Sequence, residues 1–153
     1  MNAAETVRAY YDALRDGEPL EPFFADGEPT VKYGVSERLV GLEAVRAGLA
    51  AQTGTTTDWT VESRALRVTE RARHAWFSDD VRLAWTDAER GVRREYDTRW
   101  SGTLERRDGD AATGDDPAGA GTAAAAGTTE GEAGTWRFVA MHVSVARDLD
   151  GDS

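Results

Sequence analysis

Residues 92–106, VRREYDTRWSGTLER, and residues 135–146, TWRFVAMHVSVA, decide the fold. Both are rich in β-branched and aromatic residues and both largely alternate, as strands do. Between them, residues 108–134 (DGDAATGDDPAGAGTAAAAGTTEGEAG) hold six acids, no base and no large apolar side chain. Such a segment cannot bury enough surface to offset its ordering entropy, and a flexible, solvated hairpin loop is expected there. With the loop set aside, an Asp-Gly turn after Arg107 pairs that residue with Thr135. Counting back places Leu104 opposite Phe138, Gly102 opposite Ala140, Trp100 opposite His142 and Thr98 opposite Ser144. Side chains alternate with period two, so these residues share one sheet face with Trp136 and Tyr96. That face is apolar except at its far end, where Thr98, His142 and Ser144 converge.

The opposite face of the last strand carries Arg137, Val139, Met141, Val143 and Val145. A strand apolar on both sides is expected to be buried on both sides. Helices cover only one, so a second copy of the chain is expected on the other. Val139, Met141, Val143 and Val145 then form the dimer face.

Upstream, WTVESRALRV (59–68) and RHAWFSDDVRLAWT (73–86) read as two further strands, with turns at 70–72 and 88–91. Asp79-Asp80 reads as a turn or bulge between two strand halves, and no third ligand accompanies it for a metal. At the N-terminus, Asn2 and Glu5 fit a capping box. Val7, Tyr10, Tyr11 and Leu14 follow at the spacing of one helical face, ended by Gly17 and Pro19. A short helical turn is expected over 20–25 and a strand over 30–35. GLEAVRAGLAAQTG (41–54) reads as a second helix with Leu42, Val45 and Leu49 on one face and Gly54 as its stop. Helices first and an antiparallel meander after make an α+β domain, its helices on one face of a curved sheet. The domain is expected over 1–147, with a disordered acidic tail at 148–153.

The composition narrows the function classes. There is no cysteine, hence no disulfide and no thiolate zinc site. Only His74 and His142 offer imidazole, so neither a metal nor a cofactor is expected. No run of 18 apolar residues exists for a membrane span, and the N-terminus lacks a signal-peptide pattern, so a cytoplasmic address is expected. Asp and Glu number 28 against 18 bases, a net charge of −10, and Lys32 is the only lysine. Acids spread along the chain and arginine in place of lysine suit a protein from a salt-loving organism. Molar salt screens charge beyond about 3 Å and makes that self-repulsion tolerable. The same balance argues against nucleic acid, because no basic stripe is present to neutralise phosphates.

GLEAVRAGLA (41–50), AWFS (75–78), RWSGTLERRDG (99–109) and WRFVAMHVS (136–144) together resemble the SnoaL-like branch of the nuclear transport factor 2-like superfamily. The closing Trp136, Val139, His142 and Ser144 spacing is also similar to the association domain of calcium/calmodulin-dependent protein kinase II. The resemblance covers about 2–107 and 135–146. It implies a cone, in which a strongly bent antiparallel sheet wraps around the N-terminal helices, with a pocket inside and a dimer on the outer face. The superfamily holds isomerases, cyclases, dehydratases and hydrolases beside members that only bind or assemble, so fold alone does not assign chemistry.

His142 is the candidate acid or base, since imidazole titrates near neutrality. The alternative is a buried neutral histidine bonded to Ser144 or backbone. Tyr33, Trp76, Tyr96, Thr98, Trp100, Phe138 and Ser144 are candidate pocket residues, the aromatics either lining a cavity or simply filling the core. Trp59 and Trp85 are assigned to core or rim. Arg99 is open: the resemblance puts an arginine in the pocket, whereas the register puts it on the other face with Glu95 and Asp97, unless a bulge over 100–102 reverses it. Asp26 and Tyr33 are the carboxylate and hydroxyl available for an isomerase of the ketosteroid type. The expectation is therefore a homodimer that binds a small organic ligand. The alternatives are a cofactor-free enzyme on a small carbonyl or polyketide-like compound with His142 as general acid/base, and a purely structural dimerisation domain.

Overall fold

The computed structural model describes residues 1–27, 29–107 and 134–146. Its elements are α1 (Ala3–Asp16), a short 3-10 turn (Glu21–Phe23), β1 (Val31–Gly34), β2 (Glu37–Val40), α2 (Leu42–Thr55), β3 (Thr56–Ser63), β4 (Arg67–Glu70), β5 (His74–Asp87), β6 (Val92–Arg107) and β7 (Thr135–Val145). The seven strands of the described residues join one sheet in the order β2-β1-β7-β6-β5-β3, with β4 also paired to β5. Among the described residues every pairing between these strands is antiparallel except β1 with β7, which is parallel. This is the α+β fold expected. The loop at 108–134, Gly134 apart, and the tail at 148–153 lie outside the described residues.

Local chemistry explains the helix that the sheet packs against. Asn2 Oδ1 accepts from the Glu5 amide and Glu5 Oε1 accepts from the Asn2 amide, both at 2.8 Å, the reciprocal capping box. Gly17 ends the helix at φ 70°, a left-handed conformation that costs glycine little. Val7, Tyr10, Tyr11 and Leu14 are buried on one face, as their spacing predicts. Tyr10 is the hub of an aromatic core, meeting Phe23, Phe24, Trp100 and Phe138 edge-on at centroid distances of 5.3–6.2 Å.

Three strand expectations need correction. The segment over 59–68 is two strands with a break, because Asp79 draws the Ala65 amide across at 2.9 Å. Asp79-Asp80 is no turn: β5 runs unbroken through both, with Asp79 pointing inward and buried. β2 has no counterpart among the expected strands; polar Ser36, Glu37 and Arg38 conceal its alternation.

The consequential difference is in β7. Arg107 pairs with Thr135 and Leu104 with Phe138, as counted. Thr103 then pairs with Ala140, leaving Val139 as an extra residue in a bulge. Beyond it Gly102 faces Met141, Trp100 faces Val143 and Thr98 faces Val145. The bulge reverses the facing of everything after it. Met141 and Val143 turn into the core, where they are 2% and 5% exposed. His142 and Ser144 turn out. Met141, Val143 and Val145 therefore do not form an outer dimer face, and the strand is not apolar on both sides once one residue is looped out.

Candidate functional site

The same register dictates what the inner face presents. Lys32 lies opposite Leu39 of β2 and Met141 of β7, so its side chain turns inward beneath α1. The sole lysine of the chain is only 4% exposed. Its Nζ donates to Glu37 Oε2 at 2.5 Å. Glu37 reaches back over Gly34, where a Cβ would come within 2.7 Å of that carboxylate, so glycine is what lets the pair form.

The pair opens onto a cavity of about 230 Å³ between α1, the end of α2, the β1–β2 hairpin and the inner sheet face. Tyr10, Trp59, Trp85 and Trp100 contribute aromatic walls, and Gln52 and Thr55 polar edges. Trp59 and Trp85 stack at 4.8 Å with an interplanar angle of 24°, and Tyr96 lies against Trp85 at 5.5 Å. The Trp59 indole N–H is already given to Thr56 Oγ1 and that of Trp100 to Thr98 Oγ1, each at 2.9 Å. Trp59 and Trp100 therefore offer the cavity π surface and no free donor. Lys32, Glu37 and Tyr10 add the ionisable groups of the lining. Burial, reinforced by the negative charge of Glu37, pushes the Tyr10 phenol far above its ordinary range and keeps it a donor.

A second buried polar cluster is closed. Asp79 accepts from the Tyr11 hydroxyl at 2.8 Å, the Ser63 hydroxyl at 2.6 Å and the Ala65 amide at 2.9 Å. With its lone pairs so occupied it ties α1 and the β3–β4 break to β5. Burial and the Asp79 bond raise the Tyr11 phenol in turn. A larger hollow of about 780 Å³ borders Arg107 and Thr135, where the chain leaves the described residues, so its walls are incomplete among them. Among the described residues no group of His, Asp or Glu is placed to hold a metal.

Of the residues expected to line a pocket, only Trp100 borders this cavity. Phe138 is core, and Thr98 sits behind Trp100, donating to the Val81 carbonyl at 2.6 Å. Tyr96 stands at the rim of the tryptophan stack. His142 is exposed on the outer face, edge-on to Tyr33 at 5.9 Å, and is corrected from a cavity position by the bulge. Tyr33, Trp76, Ser144 and Arg99 share that outer face. Arg99 donates to Ser144 Oγ at 3.3 Å, which settles its facing outward: the bulge lies in β7 and leaves β6 unreversed. Sequence reading missed Lys32, Glu37 and Tyr10 as site residues. The available signal was a lone lysine two residues before a glycine in a short strand.

A family model described as the SnoaL-like domain matches residues 3–111, and the chain belongs to that family. Solved structures agree on the nuclear transport factor 2-like fold. A candidate dehydratase of the nuclear transport factor 2-like family from Streptomyces avermitilis superposes with a TM-score of 0.70 at 11% identity, over 96% of this chain and 95% of that one. A candidate calcium/calmodulin-dependent protein kinase II association domain from Thiobacillus denitrificans gives 0.63 at 16% identity, over 95% and 96%. A ketosteroid isomerase-like protein from Erwinia carotovora atroseptica gives 0.65 at 15% identity, over 95% and 94%. No curated protein matches the sequence.

Proposed function

We propose that this SnoaL-like chain binds a small organic molecule in the cavity beneath α1, with Lys32, Glu37 and Tyr10 supplying the polar contacts. The carrying observation is the inward-facing Lys32–Glu37 pair at the floor of an aromatic-walled cavity. Burying such a pair gives little net stability, because desolvation offsets most of the Coulombic gain. Its placement at an open cavity is better explained by recognition than by folding. A thermal-shift screen of small organic compounds in molar KCl tests this, run in parallel on a Gln52→Trp variant that fills the cavity. A ligand at one hundred times its dissociation constant adds about 2.7 kcal/mol. Hits that persist in the filled variant would remove the cavity from consideration.

A cofactor-free enzyme is the second reading, favoured by the combination of a carboxylate, an ammonium and a protonated phenol around one space. Glu37 is then the base and Tyr10 the donor to a developing oxyanion on a small carbonyl substrate. His142, on the outer face, does not reach that space. The purely structural reading would call for a filled core there, and the open cavity weighs against it.

A second copy of the chain covers the outer sheet face. There Val40, Val31, Ala140, Thr103 and Trp76 follow one another across four strand pairings. The acidic, lysine-poor composition fits a cytoplasm of high salt. Among the described residues no helix is long and apolar enough to cross a membrane.

A further inference from the structure

We infer that the cavity takes a planar aromatic carboxylate of one or two rings, whose carboxylate replaces Glu37 on Lys32. This inference deepens the binding reading above and rests on it.

The sign of the ligand's charge follows from an asymmetry within the ion pair. Lys32 is held in β1 between β2 and β7, and its side chain is 6% exposed. Glu37 begins β2, just after the exposed Val35-Ser36 turn, and its side chain is 33% exposed. Glu37 can therefore rotate into water, but Lys32 cannot. A ligand anion exchanges one for one with Glu37: the ammonium stays paired, and the displaced carboxylate regains hydration. A cationic ligand would have to compete with an ammonium that has nowhere to go. A neutral ligand leaves the pair intact and gains nothing from it.

The donors converge to match. Tyr10 lines the same cavity, and its phenol is kept protonated. A carboxylate has two oxygens, one for Lys32 Nζ and one for this phenol. A carbonyl oxygen could accept from both, but it carries no charge to take the place of Glu37. The rest of the wall favours a flat apolar body, since Trp59, Trp85 and Trp100 present rings and the N–H groups of Trp59 and Trp100 are already spent. A cavity of about 230 Å³ is below the usual range for drug-sized ligands, which limits the body to one or two rings.

The test is a titration of the full chain with three probes of one shape: 2-naphthoate, neutral 2-naphthalenemethanol and cationic 2-naphthylmethylammonium. Calorimetry follows binding to the native chain, Glu37→Gln and Lys32→Met, with circular dichroism confirming that each variant is folded. On the native chain 2-naphthoate is expected to bind at least about tenfold tighter than the neutral probe, the worth of a charge-assisted hydrogen bond. Glu37→Gln removes the competitor and is expected to tighten 2-naphthoate by about tenfold while leaving the neutral probe unchanged. Lys32→Met is expected to abolish the preference. Glu37→Gln carries the test even if Lys32→Met fails to fold. If the neutral or cationic probe binds best, or if Glu37→Gln weakens 2-naphthoate, the anion inference is overturned while the cavity reading stands. If no probe binds any form, both fall.

Discussion

The carbonyl of Ala140 lies over Gly102, where a Cβ would approach it to 2.6 Å and meet the Phe77 ring at the same distance. The β7 bulge brings that carbonyl in, so glycine at 102 and the looped-out Val139 are two halves of one device. Because Phe77 and the backbone are both held in the core, neither can yield cheaply. Gly102→Ala is expected to cost about 2 kcal/mol, as overpacking of a filled site does. Urea unfolding should show a lower midpoint with an unchanged slope. An unchanged midpoint would mean that the bulge does not press on this position.

Gly102 also marks where reading the sequence stops short. Pairing by counting works from Arg107–Thr135 to Leu104–Phe138, because hydrogen-bonded strands keep step. Counting cannot see an extra residue, and one is enough to exchange the two faces. His142, Ser144, Met141 and Val143 were all misplaced by that single step. α1 was legible in full because capping and helical spacing are local. Lys32 was passed over for the opposite reason. A charge in a short strand reads as surface until Met141 and Leu39 are known to flank it.

Asp79 provides a second test, of stability alone. Its carboxylate satisfies Tyr11, Ser63 and Ala65 together. Asp79→Ala strands a buried phenol and a backbone amide and is expected to cost about 3 kcal/mol. Asp79→Asn keeps one acceptor oxygen and should lose less. If the alanine variant unfolds at the native midpoint, the cluster is not holding β3, β5 and α1 together.

Stability is also expected to fall in alkali. Burial raises the phenols of Tyr10 and Tyr11, with Glu37 and Asp79 adding to the rise. Above the unfolded value, near pH 10, the unfolded chain releases protons that the native chain keeps. The unfolded state then binds fewer protons, so unfolding becomes easier as pH rises, by up to about 1.4 kcal/mol per pH unit for each phenol. Below pH 10 both contributions are fully present. Tyr10→Phe should remove one share of the alkaline slope without touching the Asp79 cluster. A slope identical to the native one would show that Tyr10 ionises freely in the fold.

Salt should act in the stabilising direction. A net charge of −10 repels itself over a Debye length of about 30 Å at 0.01 M salt and about 3 Å at 1 M. The melting temperature is therefore expected to climb steeply over that interval. Sodium and potassium chloride should act alike if screening is the cause. A flat profile would detach the composition from salt adaptation.

Trp76 and Val40 are 47% and 48% exposed on a cross-strand row that also holds Val31, Ala140 and Thr103. Arg71 lies 5.3 Å from the Trp76 ring centroid, an exposed cation–π contact that partly shields one face. A contiguous apolar row at the centre of a sheet is what a second copy would cover, with His142 and Tyr33 in the row beside it. Light scattering at micromolar concentration should give twice the chain mass. Trp76→Glu would place a carboxylate against its own symmetry mate's apolar row and is expected to give a monomer with native circular dichroism. His142→Ala should weaken the dimer less, because its loss leaves the apolar row intact. A native chain that scatters as a monomer would leave this face uncovered and confine function to the cavity.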